Sequence, residues 1–303
     1  MMNQQKLYIG NDIKYEMKKV EPIDFPQNYT QKQIHRYCYI TVGLVIFVFI
    51  LAHVIIPRIN QVEGYHNYAD KRFILGIPFF FNVLSNIPFL IVGILGMHLL
   101  FSKKTKEKID KIESNLYFAF FFFIFVGGFG SGFYHLDPSN FTLLFDRLPL
   151  SATGMSLLSA LIAERISPTL ARNIFFPFIL FATLATIFWG YTESQGAGDI
   201  RAYAFVNFLP ALFIPIILLF FPKNYSGTKY FVYLVFFFFI SRVSEGADKK
   251  VFAFTFGLIS GHTIKHLTLG FAVFQIYLYL KNRKLQIFKS DVLINNNNVC
   301  ENV

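Results

Sequence analysis

Charge is scarce in this chain. Only 15% of its 303 residues are Asp, Glu, Lys or Arg, while 54% are apolar and mean hydropathy is +0.46. Soluble domains carry about a quarter charged residues, so the composition points to a membrane protein. Cysteine is nearly absent. Cys38 and Cys300 stand far apart, which argues against a disulfide framework and against a cysteine-based metal site. No short apolar run follows Met1, so a cleaved signal peptide is not expected. A clear internal repeat and a second globular domain are also lacking. Phenylalanine is abundant at 40 residues, but an AT-biased genome alone raises Phe, Ile, Lys, Asn and Tyr together, so single Phe-rich runs carry little weight. The net charge of +10 is not read as nucleic-acid binding. The basic residues sit between apolar segments and at the termini, where they set membrane orientation.

A helix needs about 20 apolar residues to cross a bilayer. Eight segments qualify: 39–57, 75–101, 115–135, 142–163, 173–191, 203–221, 228–243 and 252–280. The chain therefore reads as an all-α membrane protein. A polar N-terminal segment, 1–38, precedes these spans, and a polar tail, 281–303, containing Asn295–Asn298, follows them and is expected to be disordered. Nineteen Lys and Arg fall on one side of the spans and eight on the other, with Lys265 inside the last span. That excess places both termini in the cytoplasm. His135 then ends the third span and Asp146 opens the fourth, both on the non-cytoplasmic side. The last span enters from that side near residue 252, so His262 is expected about ten residues, or ~15 Å, along it. The polar set thus converges in the non-cytoplasmic half of the membrane.

Ionisable side chains at membrane depth are expensive and mark functional sites. His262 and His266, in S-G-H-T-I-K-H-L, are spaced i, i+4 and share one helix face. Ser131 and His135 have the same spacing, and Asp146 follows eleven residues later. Gly127, Gly128, Gly130 and Gly132 on one helix, and Gly261 and Gly270 on the other, allow close helix approach. Three histidines leave one zinc position open for water, as in catalytic sites. Zinc lowers the pKa of that water towards about 7. Asp146 then suits the general base, and Ser131 suits a hydrogen bond to the water or to the developing oxyanion. Two other readings stay open on the residues alone. A His pair at this spacing is often an ordinary surface or core feature, and intramembrane His and Asp also serve proton relays in transporters.

This pattern resembles the CREST superfamily, which includes alkaline ceramidases and the progestin and adiponectin receptors. The family pattern is a Ser and a His four apart at the end of one helix, an Asp in the next, and H-x-x-x-H in the last. Ser131, His135, Asp146, His262 and His266 match it. The step from His135 to Asp146, the D-R-L-P that begins at Asp146, and N-V-L-S-N-I-P-F over Asn82–Phe89 are similar to alkaline ceramidases. The resemblance implies a seven-transmembrane-helix hydrolase core over 75–280, with 39–57 as an additional N-terminal transmembrane helix. It implies a zinc-dependent amidase acting on a membrane lipid, most simply the N-acyl bond of ceramide, with a sphingoid base and a fatty acid as products. His135, His262 and His266 would bind zinc, and Asp146 and Ser131 would be catalytic. A receptor-like protein with structural zinc and a proton-coupled transporter are the alternatives. Alkaline ceramidases also resemble one another in an acidic cluster that binds calcium. Phe79 occupies one of its acidic positions here, and only Glu63 and Asp70 lie nearby, so calcium is not expected.

Other polar features carry less. Glu193, Asp199 and Arg201 read as a lid or head-group contact, or simply as a solvated Gly-rich loop. Gly196 and Gly198 are not a phosphate loop, since no strand precedes them. Lys265 reads as a pocket-lining residue or as a partner of Asp248. Glu245 and Asp248 read as a charged loop, and Asn82 and Asn86 as interhelical hydrogen bonders. His53 and His98 have no evident partner.

Overall fold

The computed structural model describes residues 5–8, 14–17, 31–62, 64–106, 109–221 and 225–284. Glu63, Cys300, the Asn295–Asn298 run and nearly all of the predicted 281–303 tail lie outside the described residues, as does most of the 1–38 segment. Two compact units are distinguished, Met1–Leu44 and Val45–Val303. The first holds a two-stranded antiparallel ladder, β1 (Gln5–Tyr8) and β2 (Lys14–Met17), with Gln5 opposite Met17. Everything else among the described residues is helix and connecting turn.

The helices in chain order are α1 (Gln31–Ile55), α2 (Phe80–Leu84), α3 (Ile87–Phe101), α4 (Lys103–Lys106), α5 (Lys111–Leu136), α6 (Asn140–Arg165), α7 (Pro168–Ser194), α8 (Arg201–Phe220), α9 (Lys229–Gly246), α10 (Asp248–Phe254) and α11 (Gly261–Asn282). In the second unit α5 packs along α6 and α3, α6 along α7 and α8, and α11 along α9 and α3. Along α7, Trp189 apart, the packing differs from that of a soluble bundle. On α7, Ala171, Ala182, Ala185 and Thr186 are buried, while Phe176, Leu180, Leu184 and Ile187 are exposed. Small residues face the neighbouring helices so that backbones approach, and large apolar residues face outward, as a lipid environment favours.

Four helical segments are long and apolar enough to cross a bilayer: Phe80–Phe101 (α2 with α3), α5, α7 and α8. A fifth arises if α9 and α10, bent by 81° at their junction, form one span. These observations point to an integral membrane protein. The total is smaller than the eight segments expected from sequence. The expected 39–57 span contributes only a shorter apolar helix, Val42–Ile55, and for the other two the reason is chemical. α6 and α11 have the length, at 26 and 22 residues. They also carry Asp146, Arg147, Glu164 and Arg165, or His262, Lys265 and His266.

One boundary is corrected. The predicted 252–280 span is two pieces: α10 ends at Phe254, and α11 starts only at Gly261. Between them Phe256 and Gly257 adopt left-handed backbone, φ 54° and 78°, which a continuous helix forbids. Ser260 then opens α11 by accepting from the Thr263 N–H at 3.0 Å. His262 therefore lies in the first turn of its helix, not ten residues along it.

Candidate metal centre

Two helix ends bring the histidines together. α5 delivers His135 in its last turn, and α11 delivers His262 and His266 in its first two turns. All three are buried, and one ring nitrogen from each lies within 4.8 Å of the others. The Nε2 atoms of His135 and His262 are 3.1 Å apart. Two nitrogens on a tetrahedral zinc with bonds of about 2.05 Å would be about 3.3 Å apart, so this pair already has the spacing of one tetrahedral edge.

His266 is held through one ring nitrogen: Nδ1 lies 2.8 Å from the Ser85 hydroxyl, which also lies 3.1 Å from the Asn82 carbonyl. A metal-ligating histidine is usually fixed in this way through its other nitrogen. This is the structural content of the N-V-L-S-N stretch. Ser85 holds the ring, and Asn82 Oδ1 accepts from Thr263 at 3.2 Å and Ser260 at 3.5 Å on α11. Asn82 is thus an interhelical bonder as expected, whereas Asn86 bonds back to the Asn82 carbonyl at 2.8 Å. His135 Nδ1 has no hydrogen-bond partner among the described residues, and its ring packs between Tyr68 and Tyr134, with centroids at 4.9 and 4.8 Å.

Ser131 and Asp146 come near each other across the α5–α6 contact. Gly130 makes this approach possible, because a Cβ there would overlap the Phe145 carbonyl. Gly132 and Gly127 have no comparable role, since a Cβ at either would meet nothing closer than 3.7 Å. Lys265 lies within electrostatic range of the histidines, and Asp146 within range of Tyr68 and Tyr134. Lys265 pairs with Glu245 rather than with Asp248, and Glu245 also holds Arg242 at 2.9 Å.

Several residues here escaped sequence reasoning. Tyr68 is buried, stacks at 4.4 Å on His262, and shares a hydrogen bond with the Tyr134 hydroxyl. The network continues through His66 Nδ1 at 2.8 Å, then from His66 Nε2 to Asn140 Oδ1 at 2.8 Å, and from Asn140 to Glu193 Oε1 at 3.2 Å. Arg147 is buried against Trp189, Tyr203 and Tyr65 and donates to Gln61 at 3.0 Å. No spacing rule links residues 61–68 to a helix 70 residues later, so only the His and Tyr residue types hinted at this set. Of the remaining candidates, Asp199 pairs with Arg201 at 2.6 Å, and Arg201 also donates to the His53 carbonyl at 2.9 Å. His53 Nδ1 bonds its own helix at the Phe49 carbonyl. Asp70, one of the two acids near Phe79 in sequence, is paired with Arg72.

Comparison with known proteins agrees with this geometry. A search of curated proteins and a search of solved structures each returned no significant match. The ceramidase family profile matches residues 66–291, which include all three histidines, Ser131, Asp146, Ser85 and Tyr68. The match spans well over half of the chain, and the protein belongs to the ceramidase family.

Proposed function

We propose that the chain is a zinc-dependent intramembrane amidase that hydrolyses the N-acyl bond of ceramide or a closely related lipid amide. Family membership supports a hydrolase acting on ceramide. The observation that carries the metal dependence is the buried cluster of three imidazoles, with one ring held by the Ser85–His266 bond. The donor set fits a catalytic zinc, and His135, His262 and His266 would hold it. When bound, zinc supplies a water activated near neutral pH and a Lewis acid for the acyl carbonyl.

The chain's own residues would do the rest. Asp146 would accept a proton from the attacking water and pass it to the amide nitrogen as the C–N bond breaks. The water oxygen ends in the fatty acid, and the sphingoid base leaves as the amine. Ser131 would hydrogen-bond the water or assist the developing oxyanion. The roof formed by Tyr68 and Tyr134 would exclude bulk water from the imidazoles. In the membrane, we place both termini in the cytoplasm and the centre in the non-cytoplasmic half, with a seven-helix core preceded by α1.

The test is zinc content per protein in mild detergent, with release of sphingoid base from long-chain ceramide measured on the same sample. About one zinc and turnover are expected of the wild type. Neither is expected of the His135→Ala, His262→Ala, His266→Ala triple variant. A folded wild type without zinc overturns the metal reading, and a zinc-loaded wild type without amine release overturns the substrate.

A further inference from the structure

Asp248 opens α10, on the far side of the turn that precedes the metal-ligand helix. Its two carboxylate oxygens serve two separate segments. Oδ1 accepts from the His262 N–H at 2.8 Å, and Oδ2 accepts from the Ala69 N–H at 2.8 Å. The first bond lies at the first turn of α11, where free N–H groups and the helix dipole both favour an anion. The second holds the residue next to Tyr68, whose ring covers His135 and His262. We infer that Asp248 is a positioning residue, fixing the start of the histidine-bearing helix and the segment that roofs it in one geometry.

Three further observations support this. A Cβ at Gly261 would come within 2.7 Å of Asp248 Cα and overlap the Ser244 carbonyl, so α10 sits directly on the first turn of α11 with no side chain between them. Glu245 takes up Lys265 and Arg242, which leaves both Asp248 oxygens to backbone donors. The roofing segment is tied a second time in the same direction. Asp70 holds Arg72, and Arg72 donates to the Leu258 carbonyl at 3.0 Å. A carboxylate suits the position because it accepts on both oxygens. An asparagine would turn an amide NH₂ toward one of the two N–H groups.

This inference rests on the zinc reading above, and its test separates the two. Zinc affinity is measured by chelator competition on the full-length protein in detergent, beside thermal midpoint and steady-state ceramide kinetics. Asp248→Asn is expected to weaken zinc binding about 10- to 100-fold, the usual effect of losing a group that orients a metal ligand. At saturating zinc its kcat is expected to fall more than its KM rises. Zinc affinity and kcat within twofold of wild type overturn the inference, including the case in which only the thermal midpoint drops. If Asp248→Asn does not fold, Asp248→Glu carries the same test. It keeps the charge and both acceptors but misplaces them by one methylene, and an unchanged zinc affinity overturns the inference equally. A wild type that binds no zinc overturns the metal reading itself, and this inference with it.

Discussion

The same three helices carry a buried polar cluster at each end, and the two clusters are built on opposite principles. α5 starts near Glu113 and ends at His135, about 33 Å of helix apart. α6 carries Asp146 near its start and Glu164 and Arg165 at its end. α11 opens with His262 and His266, and Arg283 caps its other end. At the Arg283 end, charges close on one another. Arg283 contacts Glu113 at 2.6 Å and Glu164 at 3.1 Å, Tyr117 and Tyr279 donate to Glu164 at 3.0 and 2.6 Å, and Arg165 stands 3.6 Å from it. The Arg283 guanidinium lies 3.9 Å from the Tyr225 ring centroid. Two carboxylates meet two guanidiniums. At the histidine end Lys265 is taken up by Glu245, and three imidazoles converge on one another with no carboxylate bonded to their rings among the described residues. A buried polar cluster whose opposite charges pair fastens helices together, whereas one of converging imidazoles is suited to hold something else.

The largest effect should come from Asp146, the proposed general base. Asp146→Asn keeps the shape and removes the base, so turnover is expected to fall about 10²- to 10⁴-fold. Zinc content should stay at the wild-type value, which metal analysis checks. Loss of zinc along with activity would assign Asp146 to the metal and blur the distinction between ligands and base.

The opposite end should respond in the opposite currency. Arg283→Met removes the cation shared by two buried carboxylates. Breaking a buried ion pair from one side costs about 3–5 kcal/mol. Thermal or denaturant unfolding in detergent should show that loss, while zinc per molecule and kcat of the folded fraction stay unchanged. A variant that folds normally but loses turnover would mean that the two ends are coupled, and the comparison would fail.

Ser85→Ala sharpens the contrast from the site side. The His266 ring would lose its hydrogen-bond partner at Nδ1, and zinc affinity is expected to drop about 10- to 100-fold. Chelator competition reads it directly. Ser85→Thr, which retains the hydroxyl, should recover most of the loss.

Much of the histidine end was legible in the sequence because its spacing is local. The i, i+4 pairs Ser131–His135 and His262–His266 fix a shared face on any helix, and a resemblance spanning three helices tied them to Asp146. The depth of His262 was not legible. The run over 252–280 reads as apolar throughout, and only the left-handed Phe256 and Gly257 with the Ser260 cap reveal that the helix restarts. The Arg283 cluster was hidden for a different reason. Charges at the ends of apolar runs look like loop charges that set orientation, and Arg165 and Arg283 count among the Lys and Arg that do so. Their pairing depends on which helix ends meet, and no single stretch encodes that. The roof was hidden likewise, since residues 65–72 show neither helical nor strand periodicity.

The smallest effect should come from the Asp199–Arg201 pair, which lies outside both clusters. Arg201 donates to Asp199 from Nε at 2.9 Å and from Nη2 at 2.6 Å, and it also reaches the His53 and Ile56 carbonyls at the end of α1. These bonds hold the Asp199 carboxyl below the ordinary aspartate range of about 4. A carboxyl whose folded-state pKa is depressed stabilises the fold fully above its unfolded value and loses that contribution as pH falls through the lower, folded one. Asp199→Asn should therefore lower stability by on the order of 1 kcal/mol at neutral pH. Wild type and variant should converge as the pH is taken below about 4, with zinc content equal in both at neutral pH. A stability difference that persists undiminished into acid would mean that the carboxylate charge contributes nothing. The junction between α1 and α8 would then rest on the Arg201 bonds to the α1 carbonyls alone.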